Sequence, residues 1–213
     1  MEAKKRFMLD IESTGVNFKR DSVLQIGLLE MIFDEIEGLW QTGRSFNQFL
    51  YYAGEPESEF AKKHMAGIYK ECSKTAAEPT SMTRQRMLDF FAESGCTKRD
   101  QVVFCGWNVS SFDIQMLHAH GLLKPPGYET DPITGIDRPV GDHSYRYYEM
   151  GGAIQLAADL TGTDPATVRG NLDSIDVGPD LPDSHHHEAL YDCYKQVKML
   201  NQIILLVKRN LCE

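Results

Sequence analysis

Residues 7–15 read Phe-Met-Leu-Asp-Ile-Glu-Ser-Thr-Gly, and the side chains of the first six alternate between two faces. This period of two predicts a β-strand with one apolar face and a second face that carries Asp10 and Glu12. Two carboxylates at this spacing lie about 6 to 7 Å apart and repel one another unless a positive charge lies between them. A divalent metal ion is the natural occupant, and a pair of exposed acids on an edge strand is the alternative interpretation.

The composition of the chain is that of an ordinary globular protein. It has 213 residues, of which 42% are hydrophobic, and this predicts a single domain over residues 1–213. The net charge of −9 argues against a protein that coats duplex DNA through a broad basic surface, but not against a nuclease that gathers carboxylates around metal ions. The five cysteines are scattered, and no apolar run has the length of a membrane span. We therefore expect a reduced protein in the cytoplasm.

The pattern along the chain predicts strands first and then a mixture of strands and helices. Two further strands are expected at 22–33 and 40–52, with a turn near Thr42-Gly43, and a short one at 101–106. Apolar residues recur at helical spacing in four stretches, which are 59–72, 83–93, 148–160 and 188–208. Residues 124–144 form the longest predicted loop. This order indicates an α/β or α+β sheet covered by helices.

A second group of candidate site residues follows the strand at 101–106 and contains one acid, Asp113. Ser110 and Ser111 are candidate N-caps of a helix through His120, and Asp113 lies in its first turn, where the helix dipole stabilises a carboxylate. Asn108 stands at the strand end, beside a tryptophan, where its amide can face a substrate or simply hold a turn. Asp at a helix start is common, so the cluster alone does not establish a function.

The third cluster pairs His187 with Asp192. Residues five apart on a helix point about 140° apart, so the two side chains converge only if the histidine precedes the helix. The Gly- and Pro-containing stretch 178–184 agrees with a helix start near His187. Solvated surface and packing remain alternatives for the run His185-His186-His187, whereas a zinc site is disfavoured because three consecutive residues cannot easily surround one ion.

Three motifs occur in a fixed order along most of the chain. They are Asp10-Ile11-Glu12-Ser13-Thr14-Gly15, Asn108-x-x-x-Phe112-Asp113 and His187-x-x-x-x-Asp192. Together they resemble the motifs of the DEDDh branch of the DnaQ-like 3′–5′ exonuclease superfamily, and the length fits a stand-alone phage- or bacterial-type member. The tyrosine branch would need Tyr at position 188, which is Glu. Trp107 stands where family members often have His.

The resemblance implies an RNase H-like α/β fold, with a mixed central β-sheet flanked by α-helices. It implies two Mg²⁺ or Mn²⁺ ions bound by carboxylates, with His187 as the general base. The implied metal ligands are Asp10, Glu12, Asp113 and Asp192. The implied reaction removes nucleoside 5′-monophosphates from the 3′ end of single-stranded DNA, or of RNA.

Four residues are candidates for positioning the terminal nucleotide of such a strand. They are Thr14, Gly15, Asn108 and Phe112. Two other functions stay open at this point: oligoribonuclease-like trimming of short RNA, and a catalytically silent nucleic-acid-binding module. The sequence leaves both a monomer and a homodimer open.

Overall fold

The computed structural model describes residues 4–74, 77–98, 101–132, 134–173 and 188–211. The strands are β1 Lys5–Ser13, β2 Val23–Asp34, β3 Leu39–Phe49, β4 Val102–Gly106, β5 Gly127–Thr130, β6 Asp137–Val140 and β7 Tyr147–Glu149. The helices are α1 Glu59–His64, α2 Ala66–Cys72, α3 Thr80–Glu93, α4 Asp113–Ala119, α5 Met150–Thr161, α6 Pro165–Asp173 and α7 Ala189–Leu211.

A mixed five-stranded sheet forms the centre of the fold, in the order β3-β2-β1-β4-β7. The strands β1, β2 and β3 are antiparallel neighbours, whereas β4 runs parallel to both β1 and β7. Helices pack on both faces, and this confirms the α/β class with a mixed central sheet. A separate hairpin of β5 and β6 lies within the predicted loop 124–144.

The alternation along β1 sends its side chains into two separate cores. Phe7, Leu9 and Ile11 are buried in a core shared with α3 and α4. Met8, from the opposite face, is buried in a core shared with α5 and α7. Because side chains alternate along a strand, Asp10 and Glu12 belong to the second face, at the end of the strand nearest α7. The predicted strand and its two faces are confirmed.

The predicted turn near Thr42-Gly43 is wrong. The chain reverses at residues 35–38, where the Asp34 carboxylate accepts hydrogen bonds from the backbone N–H groups of Ile36 and Glu37. Gly38 closes this turn with a positive φ of 62°, a conformation that glycine adopts without strain. Gly43 instead lies inside β3, where the pairing with β2 shifts by one residue as a β-bulge.

Helix boundaries also differ from the prediction. The helix expected at 59–72 is divided at Met65 into α1, which is capped by the Ser58 side chain, and α2. Neither Ser110 nor Ser111 caps α4, because the N–H of Ser110 donates to the Glu149 carboxylate and the Ser111 hydroxyl donates to the Asn108 carbonyl. The helix α6 was not expected from the sequence. No described helix has the length and apolar character needed to cross a membrane.

The start of α7 lies against the middle of β2. A Cβ atom on Gly27 would come within 2.5 Å of the backbone of Ala189 and Leu190, so only glycine permits this approach. Gly27 pairs with Asp10 across the β1–β2 ladder. The side chain of Gln25 accepts a hydrogen bond of 3.1 Å from the N–H of Ala189, and this fixes the first turn of the helix. The contact at Gly27 therefore brings the first turn of α7 next to Asp10.

We predict that Gly27→Ala destabilises the protein by about 1 to 3 kcal/mol, because the added methyl group overpacks a backbone contact. It should also weaken divalent-ion binding, since α7 must move away from β1. Gly67→Ala is the matched control, because Gly67 is helical and has no atom within 4 Å of an added Cβ; it should be neutral or stabilising by up to about 1 kcal/mol. Urea unfolding and Mn²⁺ titration measure both effects, and equal stability of the two variants would contradict the prediction.

Candidate active site

Three carboxylates meet at the junction of β1 and α7. Asp10, Glu12 and Asp192 each offer an oxygen atom that lies within 4.8 Å of those of the other two. Asp10 and Glu12 come from the same face of β1, and Asp192 comes from the first turn of α7. The folded chain thus joins residues from near its beginning and from its last helix. Oxygen atoms at this separation suit a hard divalent cation between them.

Asp113 is the fourth acidic residue of the site. It is the first residue of α4, is only 4% exposed, and accepts a hydrogen bond of 3.0 Å from the backbone N–H of Ile11. This bond ties the start of α4 to β1 between Asp10 and Glu12. The negative charge of Asp113 acts on both of these residues. The structure therefore brings Asp10, Glu12 and Asp192 together and holds Asp113 beside them, bonded to β1, while their role as metal ligands remains a prediction.

Burial and mutual repulsion disfavour the ionised carboxylates in the absence of a cation. Burial is the largest cause in each case and raises the pKa of Asp10 well above its ordinary value, with Asp113, Asp192 and Glu12 adding to the rise. The pKa of Glu12 is raised from 4.5 to about 8 by burial and by the charges of Asp192 and Asp113. Burial also raises the pKa of Asp113 to about 7, against the lowering effect of its backbone hydrogen bonds. Such a cluster is strongly biased towards binding a positive ion.

These shifts predict that the metal-free protein loses stability as the pH rises. Glu12 ionises near pH 4.5 in the unfolded chain and near pH 8 in the folded one, so between these values the folded state holds more protons. Its contribution is present in full below pH 4.5 and is lost as the pH approaches 8. In EDTA, the free energy of unfolding of the wild type should fall more between pH 5 and pH 8 than that of Glu12→Gln. Identical pH dependences would contradict the prediction.

Gln196 is a residue of the site that the motifs do not reveal. Its side chain is 3% exposed, and its amide Nε2 donates to Asp10 Oδ1 at 3.1 Å while its Oε1 accepts from the N–H of Trp107 at 3.0 Å. Gln196 therefore holds the Asp10 carboxylate in one orientation and ties it to the end of β4. The available sequence signal is its position four residues after Asp192, on the same side of α7.

We predict that Gln196→Met weakens divalent-ion binding about 10-fold or more, because loss of an outer hydrogen bond releases the Asp10 carboxylate. The methionine keeps most of the side-chain volume. The matched control is Gln202→Met, an exposed position on the same helix, which should bind Mn²⁺ as the wild type does. Mn²⁺ titration monitored by calorimetry measures both affinities, and an unchanged affinity in Gln196→Met would remove this residue from the site.

The four residues expected to position a substrate lie at different places around the carboxylates. Thr14 and Gly15 lie in the loop after β1, where the Thr14 hydroxyl accepts a hydrogen bond from the N–H of Ser22. Asn108 is exposed, has a positive φ of 49° and lines a cleft with Asp10. Phe112 is partly buried, packs against the core that contains Phe7 and Leu9, and contacts the ring of Phe18. Their role in substrate binding remains a prediction.

The cleft opens directly beside the carboxylates and has a volume of about 320 Å³. It lies between the end of β4, α6 and α7, and both Asp10 and Asp192 reach it. The other lining residues are Trp107, Asn108, Arg169, Lys195, Gln196 and Met199. The site therefore combines acidic, basic and aromatic groups in one depression of a size that suits a nucleotide-sized ligand.

His187, the expected general base, lies outside the described residues. The next residue, Glu188, is described, and its carbonyl accepts a hydrogen bond of 3.0 Å from the N–H of Asp192. Its negative charge raises the pKa of Glu12. The chain thus passes close to the carboxylates immediately after His187, and the role of the histidine itself remains a prediction from the sequence.

The described chain has the fold of known exonucleases, a mixed sheet flanked by helices. The zinc-bound form of the E. coli ExoI–ssDNA complex matches it with a TM-score of 0.59 at 14% identity, over 99% of this chain and 42% of that chain. E. coli exonuclease I in complex with a dT13 oligonucleotide matches with a TM-score of 0.58 at 13% identity, over 98% and 43%. Cell-death related nuclease 4 (CRN-4) matches with a TM-score of 0.63 at 12% identity, over 95% and 64%.

The chain spans less than two thirds of the length of each of these proteins. No family model matches the sequence, and no curated protein matches it. At 12 to 14% identity the similarity to these structures establishes the fold alone. The evidence for a metal site is the arrangement of this chain's own acidic residues.

Proposed function

We propose that this protein is a metal-dependent 3′–5′ exonuclease that hydrolyses single-stranded DNA, or RNA, from the 3′ end and releases nucleoside 5′-monophosphates. The observation that carries the proposal is the convergence of Asp10, Glu12 and Asp192 within 4.8 Å of one another, with Asp113 bonded to the same strand. The fold supports it, because the matching structures include an exonuclease bound to single-stranded DNA and a cell-death related nuclease. We assign residues 1–213 to one such domain.

The donor set fits two divalent ions of the Mg²⁺ or Mn²⁺ type. Four carboxylates supply the oxygen ligands that these hard cations prefer, and the raised pKa values of Asp10 and Glu12 reflect their burial first and then the charges of the neighbouring acids. A pair of such ions, when bound, supplies Lewis acidity at the scissile phosphate and stabilises charge on the attacking and leaving oxygens. The ligands would be Asp10, Glu12, Asp113 and Asp192.

The chain's own residues then position the substrate and move a proton. Gln196 and the backbone of Ile11 orient two of the carboxylates. In the proposed mechanism His187, as a neutral imidazole, accepts the proton of the attacking water, and Asn108 faces the terminal nucleotide from the cleft. Thr14, Gly15 and Phe112 are proposed to contact the same nucleotide. The free thiols among the described residues agree with a reducing compartment, and we propose the cytoplasm.

The polarity and the products of cleavage test this function. Strands of DNA and RNA labelled at either end are incubated with the protein in Mn²⁺, with an EDTA sample as the control. We expect the 3′ label to appear at once as a mononucleotide, while the 5′-labelled strand shortens stepwise. Release from the 5′ end, or internal fragments, would contradict the proposal. Degradation of a dinucleotide but not of longer strands would indicate an oligoribonuclease-like enzyme, and binding without any metal-dependent release would indicate a silent binding module.

A further inference from the structure

The cleft beside the carboxylates has a positively charged wall to which the proposed function assigns no role. Lys195 lines this cleft, and its side chain is partly buried. It lies three residues after Asp192, so both side chains leave the same side of α7. Within the part of the chain that the structure describes, Lys195 forms no ion pair and donates no hydrogen bond. A partly buried ammonium group without a counter-ion favours an anionic ligand.

Arg169, from α6, places a second positive charge in the same cleft. Its guanidinium carbon lies 5.1 Å from the centroid of the Trp107 ring, a cation–π contact that joins α6 to the end of β4. Both residues line the cleft together with Asp10. If two divalent ions balance the four carboxylates, as in the proposed function, the ammonium group of Lys195 remains in this cleft as a positive charge that no described residue pairs with.

We propose that the cleft is a phosphate subsite for the bound nucleic acid strand, in which Lys195 contacts a backbone phosphate adjacent to the cleaved bond and the Trp107–Arg169 pair lines the same cleft. This inference rests on the proposed function for the identity of its ligand. A lysine reads charge and not sequence, so the subsite suits an enzyme that accepts any base. It also accounts for local strand binding by a chain whose net charge is −9.

The salt dependence of strand binding tests the contact of Lys195. A fluorescein-labelled oligo(dT) 8-mer is titrated in Ca²⁺ over a range of salt concentrations, and product analysis verifies that the strand stays intact. Loss of one phosphate contact makes the plot of log association constant against log salt concentration less steep by about 0.7. It also lowers the affinity about fivefold at 0.1 M salt. We expect both changes in Lys195→Met. Lys198→Met, the same charge change at an exposed position of α7, should bind as the wild type does.

The fluorescence of Trp107 gives a second, independent measurement. The chain has two tryptophans, and Trp40 packs against Phe33 and Arg6 and does not line the cleft. In Trp40→Phe the remaining tryptophan emission comes from Trp107, and we expect the binding of oligo(dT) to change this emission. In the double variant Trp40→Phe/Lys195→Met, the oligo(dT) concentration at half of the full change should be about fivefold higher.

The outcomes separate the two proposals. If the wild type binds and cleaves the strand, either of two results would overturn the subsite alone. One is an equal salt slope in Lys195→Met and Lys198→Met, and the other is Trp107 emission that does not change at saturation. A wild-type protein that neither binds nor cleaves any strand would overturn the proposed function, and the subsite with it.

Discussion

Asp10→Asn should abolish strand cleavage, with a loss of at least about 10⁴-fold in turnover, because a metal ion lost from the cluster removes a large share of the transition-state stabilisation. Asp10 lies at the centre of the site, since oxygen atoms of Glu12 and Asp192 lie within 4.8 Å of its own and Gln196 fixes its orientation. The measurement is the rate of mononucleotide release in saturating Mn²⁺. Asp159→Asn, at an exposed position of α5, is the control and should retain full activity.

The same substitution should have the opposite effect on the stability of the metal-free protein. The amide that replaces the carboxyl group cannot ionise, so Asp10→Asn removes repulsion from a buried acidic cluster, and its free energy of unfolding in EDTA at pH 8 should exceed that of the wild type. A protein that is more stable and yet inactive is the signature of a metal site, because a mere loss of folding would lower both quantities. Retained cleavage, or a lower stability in EDTA, would contradict this assignment.

His187→Ala should lower turnover by about two to four orders of magnitude, because no side chain then accepts the proton of the attacking water. Mn²⁺ affinity and strand affinity should stay close to those of the wild type. The pH dependence gives a second readout: wild-type activity should rise with pH through the titration of an imidazole, whose ordinary pKa is about 6.5, and this rise should be absent in the variant. His186→Ala is the control. Equal turnover in His187→Ala would remove this histidine from the mechanism.

The sequence predicted the part of the site that depends on local periodicity. The alternation at Phe7, Leu9 and Ile11 placed Asp10 and Glu12 on the opposite face, and the structure agrees. The Gly- and Pro-containing stretch 178–184 placed the start of the last helix near His187, close to where α7 begins, at Ala189. Local patterns of this kind follow directly from strand and helix geometry, so a single sequence contains them.

Features that depend on contacts between distant parts of the chain were not predictable in this way. The turn after β2 was misplaced because Thr42-Gly43 resembles a turn, whereas the observed turn depends on hydrogen bonds to the Asp34 side chain. Gln196 looked like one more polar residue on an amphipathic helix until its contacts with Asp10 and Trp107 were seen. Gly27 likewise shows its role only when α7 lies against it.

Titration calorimetry with Mn²⁺ tests most directly whether the acidic cluster binds metal. For the wild type at pH 8 we expect two ions per chain, with an affinity that falls as the pH is lowered and protons compete for Glu12 and Asp113. In Asp10→Asn at least one of the two ions should no longer bind. A wild-type protein that binds no Mn²⁺, or one whose binding is the same in Asp10→Asn, would contradict a divalent metal site formed by these four carboxylates.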